Sequence, residues 1–230
     1  MSIPVDDTSL IARGDGLWSI CEPFSLFGAR FGRRMVLLSR NGVTGVLSPN
    51  QGLRETIHAS LGRDWDVDYL IAPTGFHDTY FYEVSREYPA ARRLVSAAFP
   101  QRLVETETLE SAWPEVWKDD LVPYPIDGMP RVQETVIYDR VNQTLLVSDL
   151  GFFFDALWDP WSRTFARLAG VYGKPRLSRL FRMMIKDKRA FMRSLEPLLD
   201  LPLRNILPAH GKEILGDGQA VMTDLYAQIA

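Results

Sequence analysis

Three short apolar runs each end on a residue that can bind a metal or move a proton. Tyr69-Leu-Ile-Ala-Pro-Thr-Gly-Phe-His-Asp78 leads to His77 and Asp78, Thr144-Leu-Leu-Val-Ser-Asp149 to Asp149, and Asn205-Ile-Leu-Pro-Ala-His210 to His210. The chain has 3 histidines, so two of them occupy this context. In open α/β sheets, ligands gather at the carboxyl ends of strands. The pattern therefore predicts that the three run-ends converge. Two imidazoles and two carboxylates are a donor set for one Zn, Mn or Fe ion. Each residue also has a plainer reading. Asp78 and Asp149 suit backbone caps, and His210 before Gly211 suits a loop histidine bonded to backbone. His58, between Ile57 and Ala59 in a helical stretch, reads as structural or surface.

These residues need an α/β framework. Leu17–Cys21 and Met35–Ser39 read as strands, with a glycine-punctuated loop from Phe24 to Gly32 between them. Asn41-Gly42 is a hairpin turn, and Val43–Leu47 is the return strand, stopped at Pro49. A helix is expected over Gly52–Leu61, a strand over Val67–Ala72, a short helix over Val84–Tyr88 and strands over Pro89–Ser96 and Arg102–Thr106. A meander follows, in Leu121–Tyr124, Gln133–Asp139 and Gln143–Asp149. Beyond it the pattern is helical over Phe152–Gly170, with a break near Pro160, and over one long helix, Arg176–Leu199. A strand at Arg204–Leu207 and a helix at Gly216–Ile229 complete the chain. Residues 1–16 read as a loose lead-in and 17–230 as one domain.

The long helix carries Arg179, Arg182, Lys186, Arg189 and Arg193 at helical spacing. Such a stripe is a solvated face or a local anion site, for a phosphate, a carboxylate substrate, or an acidic partner or membrane surface. Arg179 and Arg182 are the candidates for substrate binding, because arginine's planar fork matches carboxylate and phosphate. Trp158, Trp161 and Phe165 read as core or as the wall of a pocket.

Composition narrows the classes. A net charge of −3 over 230 residues gives no overall pull toward nucleic acid. The single cysteine, Cys21, excludes an internal disulfide. No run approaches the ~20 apolar residues of a membrane span, and the acidic N-terminus is unlike a signal peptide. The expectation is a cytoplasmic protein whose partner is a small, anionic molecule.

Several of these segments together resemble the metallo-β-lactamase fold, in a divergent branch with a degraded metal motif. They are the early hairpin, Ser48-Pro49, Ala72-Pro-Thr-Gly-Phe-His-Asp78, Pro89-Ala90, Ser148-Asp149-Leu-Gly-Phe152 and Pro208-Ala-His-Gly211. The resemblance runs from about Leu17 to the end and implies a four-layer αβ/βα sandwich. Aligned on the family's His-x-His-x-Asp-His motif, the first two histidines fall on Pro73 and Gly75, which have no side-chain donor. The Asp-His pair falls on His77-Asp78 in reversed order, and no histidine stands at 125–128 for the middle ligand. The bridging aspartate falls on Asp149 and the last histidine on His210. What the resemblance implies is at most one metal, held by His77, Asp78, Asp149 and His210: zinc, alternatively iron or manganese, or no metal at all. Asp78 and Asp149 would be the catalytic carboxylates. The implied function is hydrolysis of an ester, thioester, amide or phosphoester by a metal-bound water. The alternative is a catalytically degenerate member that binds a small molecule or a protein.

Overall fold

The computed structural model describes residues 9–62, 64–100, 104–155 and 159–229. The first sheet is built from β1 (Ile11–Gly14), β2 (Leu17–Leu26), β3 (Ala29–Arg40) and β4 (Val43–Leu47). Helix α1 (Leu53–Leu61) leads to β5 (Tyr69–Ala72), α2 (Phe81–Glu87) to β6 (Arg92–Val95), and β7 (Glu107–Thr108) closes it. Its seven strands lie in sequence order, antiparallel from β1 to β4 and parallel from β4 to β7. The second sheet contains β8 (Leu121–Pro125), β9 (Thr135–Asp139) and β10 (Thr144–Val147). Helices α3 (Pro160–Ala169), α4 (Arg179–Met184) and α5 (Lys188–Leu199) precede β11 (Asn205–Pro208), β12 (Ile214–Leu215) and α6 (Gly218–Ile229). Its order is β12-β11-β10-β9-β8, with β10 and β11 parallel.

Period-two alternation on β3 explains the layering. Met35 and Leu37 join Leu53, Ile57, Phe81 and Val84 of α1 and α2 in one core. Val36 and Leu38 point the other way and meet Ile137, Leu146 and Leu207 of the second sheet. The outer face of that sheet packs Val136, Leu145 and Ile206 on Phe191, Leu195 and Leu198 of α5 and Met222 of α6. The layers are therefore helix, sheet, sheet, helix. A buried ion pair ties the sheets together: Arg40 Nη2 lies 2.9 Å from Asp139 Oδ2. Among the described residues no helix is long and apolar enough to cross a membrane.

Four expectations need correction. Residues 11–14 of the lead-in form an edge strand, β1, paired with β2. The segment 24–32 is no loop but a continuous hairpin, with Leu26 opposite Ala29 and a two-residue turn at Phe27 (φ 51°) and Gly28 (φ 77°). The helix expected from Phe152 begins only at Pro160, where Asp159 caps Ser162 N at 2.8 Å; Phe152–Phe154 instead make isolated bridges to Arg176, Gly211 and Tyr172. The long basic helix is two helices, α4 and α5. Ser178 caps the first and Asp187 the second, and Gly128 O accepts both Lys186 N (2.8 Å) and Asp187 N (3.2 Å) at the break. The strand expected at 102–106 falls partly outside the described residues, as does Trp158.

Candidate functional site

Strand β5 ends at Ala72, and the turn Pro73–Asp78 is fastened to the second sheet. Thr135 N donates to Pro73 O (2.8 Å) and Gly75 N to Val132 O (2.9 Å). This turn buries His77 and leaves the adjacent Asp78 half-exposed. Strand β10 delivers Asp149, and the segment after β11 delivers His210. The side-chain ligand atoms of His77, Asp149 and His210 all lie within 4.8 Å of one another, and all three residues are buried. The His77 and His210 rings are 5.7 Å apart. Asp78 lies outside this group: its neighbour takes the buried position in the turn, and its own charge acts on Arg33.

Each ligand atom is aimed by a contact on its other side. His210 Nδ1 donates to Gly32 O (2.9 Å), which leaves the Nε2 lone pair facing the group. Phe152 stacks on the His210 ring at 5.9 Å, with Phe24 and Phe31 at 5.7 and 6.1 Å. His77 Nδ1 shares a 2.5 Å hydrogen bond with Ser48 Oγ, at the end of β4. Its Nε2 is buried without a hydrogen-bond partner among the described residues, 3.9 Å from Asp149 Oδ2. Thr74 Oγ1 donates to that same Oδ2 at 3.1 Å.

Below Asp149 lies Glu134, fully buried, whose carboxylate accepts Ser148 N (2.6 Å) and Asp149 N (2.9 Å). Burial pushes the Glu134 carboxyl up to about 8, with the nearby Asp149 charge adding to it, against the backbone N–H groups that favour its anion. Burial pushes Asp149 up to about 7, opposed by Thr74 and Arg33. Burial also holds His77 well below the usual imidazole range and His210 at about 4. The Arg33 cation depresses both.

Arg33 and Arg34 are consecutive on β3, so they point to opposite faces. Arg34 is engaged in the second sheet, where it donates to the carbonyls of Pro208 and Gly211 and pairs with Glu213. Arg33 faces the other way, 5.2 Å over the Tyr80 ring, and is 3% exposed. Its Nη1 and Nη2 have no hydrogen-bond partner among the described residues.

The residues fit one divalent ion. A tetrahedral centre with bonds near 2.0–2.1 Å places its ligand atoms about 3.3 Å apart. Here the three ligand atoms lie within 4.8 Å of one another, with 3.9 Å between His77 Nε2 and Asp149 Oδ2, a somewhat wider spacing around the same point. An orphaned imidazole nitrogen and buried carboxylates held above their usual range are what a cation would relieve. Position 75, where the resemblance would put a second histidine, has no room for a side chain: a Cβ there would lie 2.9 Å from Ala98 O and Arg131 O.

Sequence reasoning missed four contributors. Ser48 and Thr74 lay inside quoted segments but have no chemistry of their own that marks them. Glu134 is an acid at the head of a fully buried strand, and Arg33-Arg34 immediately precede the apolar run Met35–Leu38; both were visible signals. Arg179 and Arg182 are exposed on α4. Arg179 Nη1 donates to Leu168 O at 3.3 Å. Only their neighbour Phe181 reaches toward the site, against Phe152.

No family model matches the chain, and no curated protein matches it by sequence. Solved structures do match. A metallo-β-lactamase from Pontibacter korlensis is 13% identical, covering 96% of this chain and 98% of that one, with a TM-score of 0.62. The enzyme from Hirschia baltica is 11% identical over 96% of each chain, with a TM-score of 0.62. The mono-zinc form of the FIM-1 enzyme from Pseudomonas aeruginosa is 11% identical over 96% and 93%, with a TM-score of 0.63. With its layer order and three converging strand ends, the chain has the metallo-β-lactamase fold.

Proposed function

We propose that the chain is a metal-dependent hydrolase holding one divalent ion on His77 Nε2, His210 Nε2 and the Asp149 carboxylate. The convergence of these three buried side chains from separate strand ends carries the reading. Two histidines and one carboxylate leave a coordination position open, as catalytic sites do. Zinc is the first choice, given the mono-zinc form of one neighbour. When bound, such an ion lowers the pKa of a water to about 7 and polarises a carbonyl or phosphoryl oxygen.

The chain's own residues set up that chemistry. Gly32 O and Ser48 Oγ fix the imidazoles so that Nε2 faces the ion, and Thr74 orients Asp149. Glu134 tethers the backbone of Ser148 and Asp149. Arg33 offers two donor groups that the protein leaves free, which suits an anionic oxygen of the substrate. Esters, thioesters, amides and phosphoesters remain the substrate classes.

One observation favours a second reading, a binding module without catalysis: all three ligands are buried, and phenylalanine rings enclose His210.

Chelator-free protein should carry one ion per chain by elemental analysis, and His77→Ala/His210→Ala should carry none. Hydrolysis of an aryl ester, thioester or phosphodiester that is lost on chelation and restored by zinc supports the enzyme. A bound ion with no hydrolysis supports the binding module. Equal metal content in wild type and the double variant removes the metal site at these residues, and the hydrolase reading with it.

A further inference from the structure

Residues 160–186 contain five arginines, two lysines and no acid. That is +7 in a chain whose total is −3, so the remaining residues sum to −10. The same segment exposes large apolar side chains: Met183 75%, Leu168 63%, Leu180 52% and Trp161 50%. The β2–β3 hairpin tip adds Phe27 at 76% and Leu26 at 42%.

Contacts make these one surface. Trp161 Nε1 donates to Phe27 O at 3.1 Å, and Arg30 N donates to Ser162 Oγ at 2.7 Å, so the hairpin tip rests on the start of α3. Trp161 and Leu168 are seven residues apart, two turns along one helix face. Arg179 then joins the end of α3 to α4 through Leu168 O. On α4, Leu180 and Met183 are three apart and share a face between the exposed Arg179 and Arg182.

We propose that the hairpin tip, α3 and α4 form a docking face for an anionic lipid bilayer. Cations outnumber acids on this face, where the flanking Asp159 and Asp187 are engaged as helix caps; that excess matches an anionic headgroup layer, which attracts each cation by about 1 kcal/mol. Protruding apolar side chains among the cations match the acyl boundary beneath it, the arrangement of interfacial helices. Nucleic acid fits less well: Trp161 and Phe27 offer rings at one end of the face only, and Leu168, Leu180 and Met183 along the rest of it offer none for a base to stack on. The inner rings of the same helices approach the metal-candidate site: Phe165 packs on Phe31, Phe181 on Phe152, and both of those partners flank His210. Docking would set that site beside the bilayer, although the surface argument stands without any metal.

The test is vesicle sedimentation of the full chain. Wild type should pellet with vesicles of phosphatidylcholine mixed with phosphatidylglycerol and stay in solution with phosphatidylcholine alone. Binding should fade with salt as the screening length falls from about 10 Å at 0.1 M to 3 Å at 1 M. Arg179→Gln/Arg182→Gln should weaken binding about thirtyfold, from about 1 kcal/mol per cation. Leu180→Ser/Met183→Ser, at exposed positions where folding is checked by thermal melting, should weaken it at least about tenfold. The proposal is overturned if wild type stays in solution with the mixed vesicles at low salt. It is also overturned if the Leu180/Met183 variant binds as wild type does, because the face would then read charge alone, as on nucleic acid or an acidic protein.

Discussion

His77 has one nitrogen on Ser48 Oγ and one, Nε2, buried and bare. For Nε2 to hold an ion, Nδ1 must keep the proton and donate it to Ser48 Oγ. The hydroxyl thus selects the tautomer, much as Gly32 O does for His210. Ser48→Ala should keep the ligands and lose the aim: metal affinity should fall about 10–100-fold. Stability should drop by about 1–3 kcal/mol through the unpaired buried Nδ1. Competition with a metal-binding dye and denaturant unfolding measure the two. Affinity unchanged in Ser48→Ala would mean that the pair is structural only. That His77, Asp149 and His210 cluster was legible in sequence, because each follows an apolar run. Ser48 was not, since a serine before a proline carries no mark of its partner 29 residues away. Asp78 follows the same apolar run and was read as a ligand beside His77, but adjacent residues in a turn face different ways, and the buried direction went to His77.

Elements were legible where local chemistry dictates them. Asn41-Gly42 announced a two-residue hairpin, because both residues tolerate positive φ. Phe27-Gly28 makes the same kind of turn with φ 51° and 77°, and a phenylalanine there gives no such signal. Its side chain is accommodated by the ring of Phe165 at 6.5 Å, a tertiary contact. The break between α4 and α5 was hidden for a related reason. Apolar residues keep helical spacing across 185–187, and the interruption is imposed by Gly128, 57 or more residues earlier in the chain. Gly128 has φ 81°, and a Cβ on it would lie 2.3 Å from Asp187 O. Gly128→Ala should therefore cost more than about 1 kcal/mol and disturb the start of α5. Asp187→Ala, which removes only the cap, should cost about 1 kcal/mol. Urea midpoints would compare them; a neutral Gly128→Ala would show that the break is set by the caps alone.

At the scale of the whole molecule, the buried carboxylates couple stability, pH and metal. In the metal-free fold, Asp149 and Glu134 hold protons up to about 7 and about 8, whereas the unfolded chain releases them near pH 4. Between those limits the folded state binds more protons, so stability falls as pH rises. His77 and His210 act oppositely. Burial keeps them neutral in the fold, and unfolded imidazoles charge below about pH 6.5, so their contribution rises with pH up to that point and is then flat. Above about pH 6.5 only the carboxylate effect remains. The melting temperature of chelator-treated protein should therefore decline from about pH 6.5 to about 8.5. A divalent ion held here would supply the missing positive charge, and Asp149 would release its proton to bind it. Its affinity should fall up to about tenfold per pH unit below about 7, one proton being taken up as the ion leaves. Ion-loaded protein should then show a flat or rising melting temperature over the range in which the metal-free protein declines. Asp149→Asn removes both the ligand and its titration, so added zinc should no longer shift its melting temperature at any pH. A metal-free melting curve that is flat above about pH 6.5 would mean that the buried pair holds no proton there. A loaded curve that declines in parallel with the metal-free one would place the ion away from Asp149.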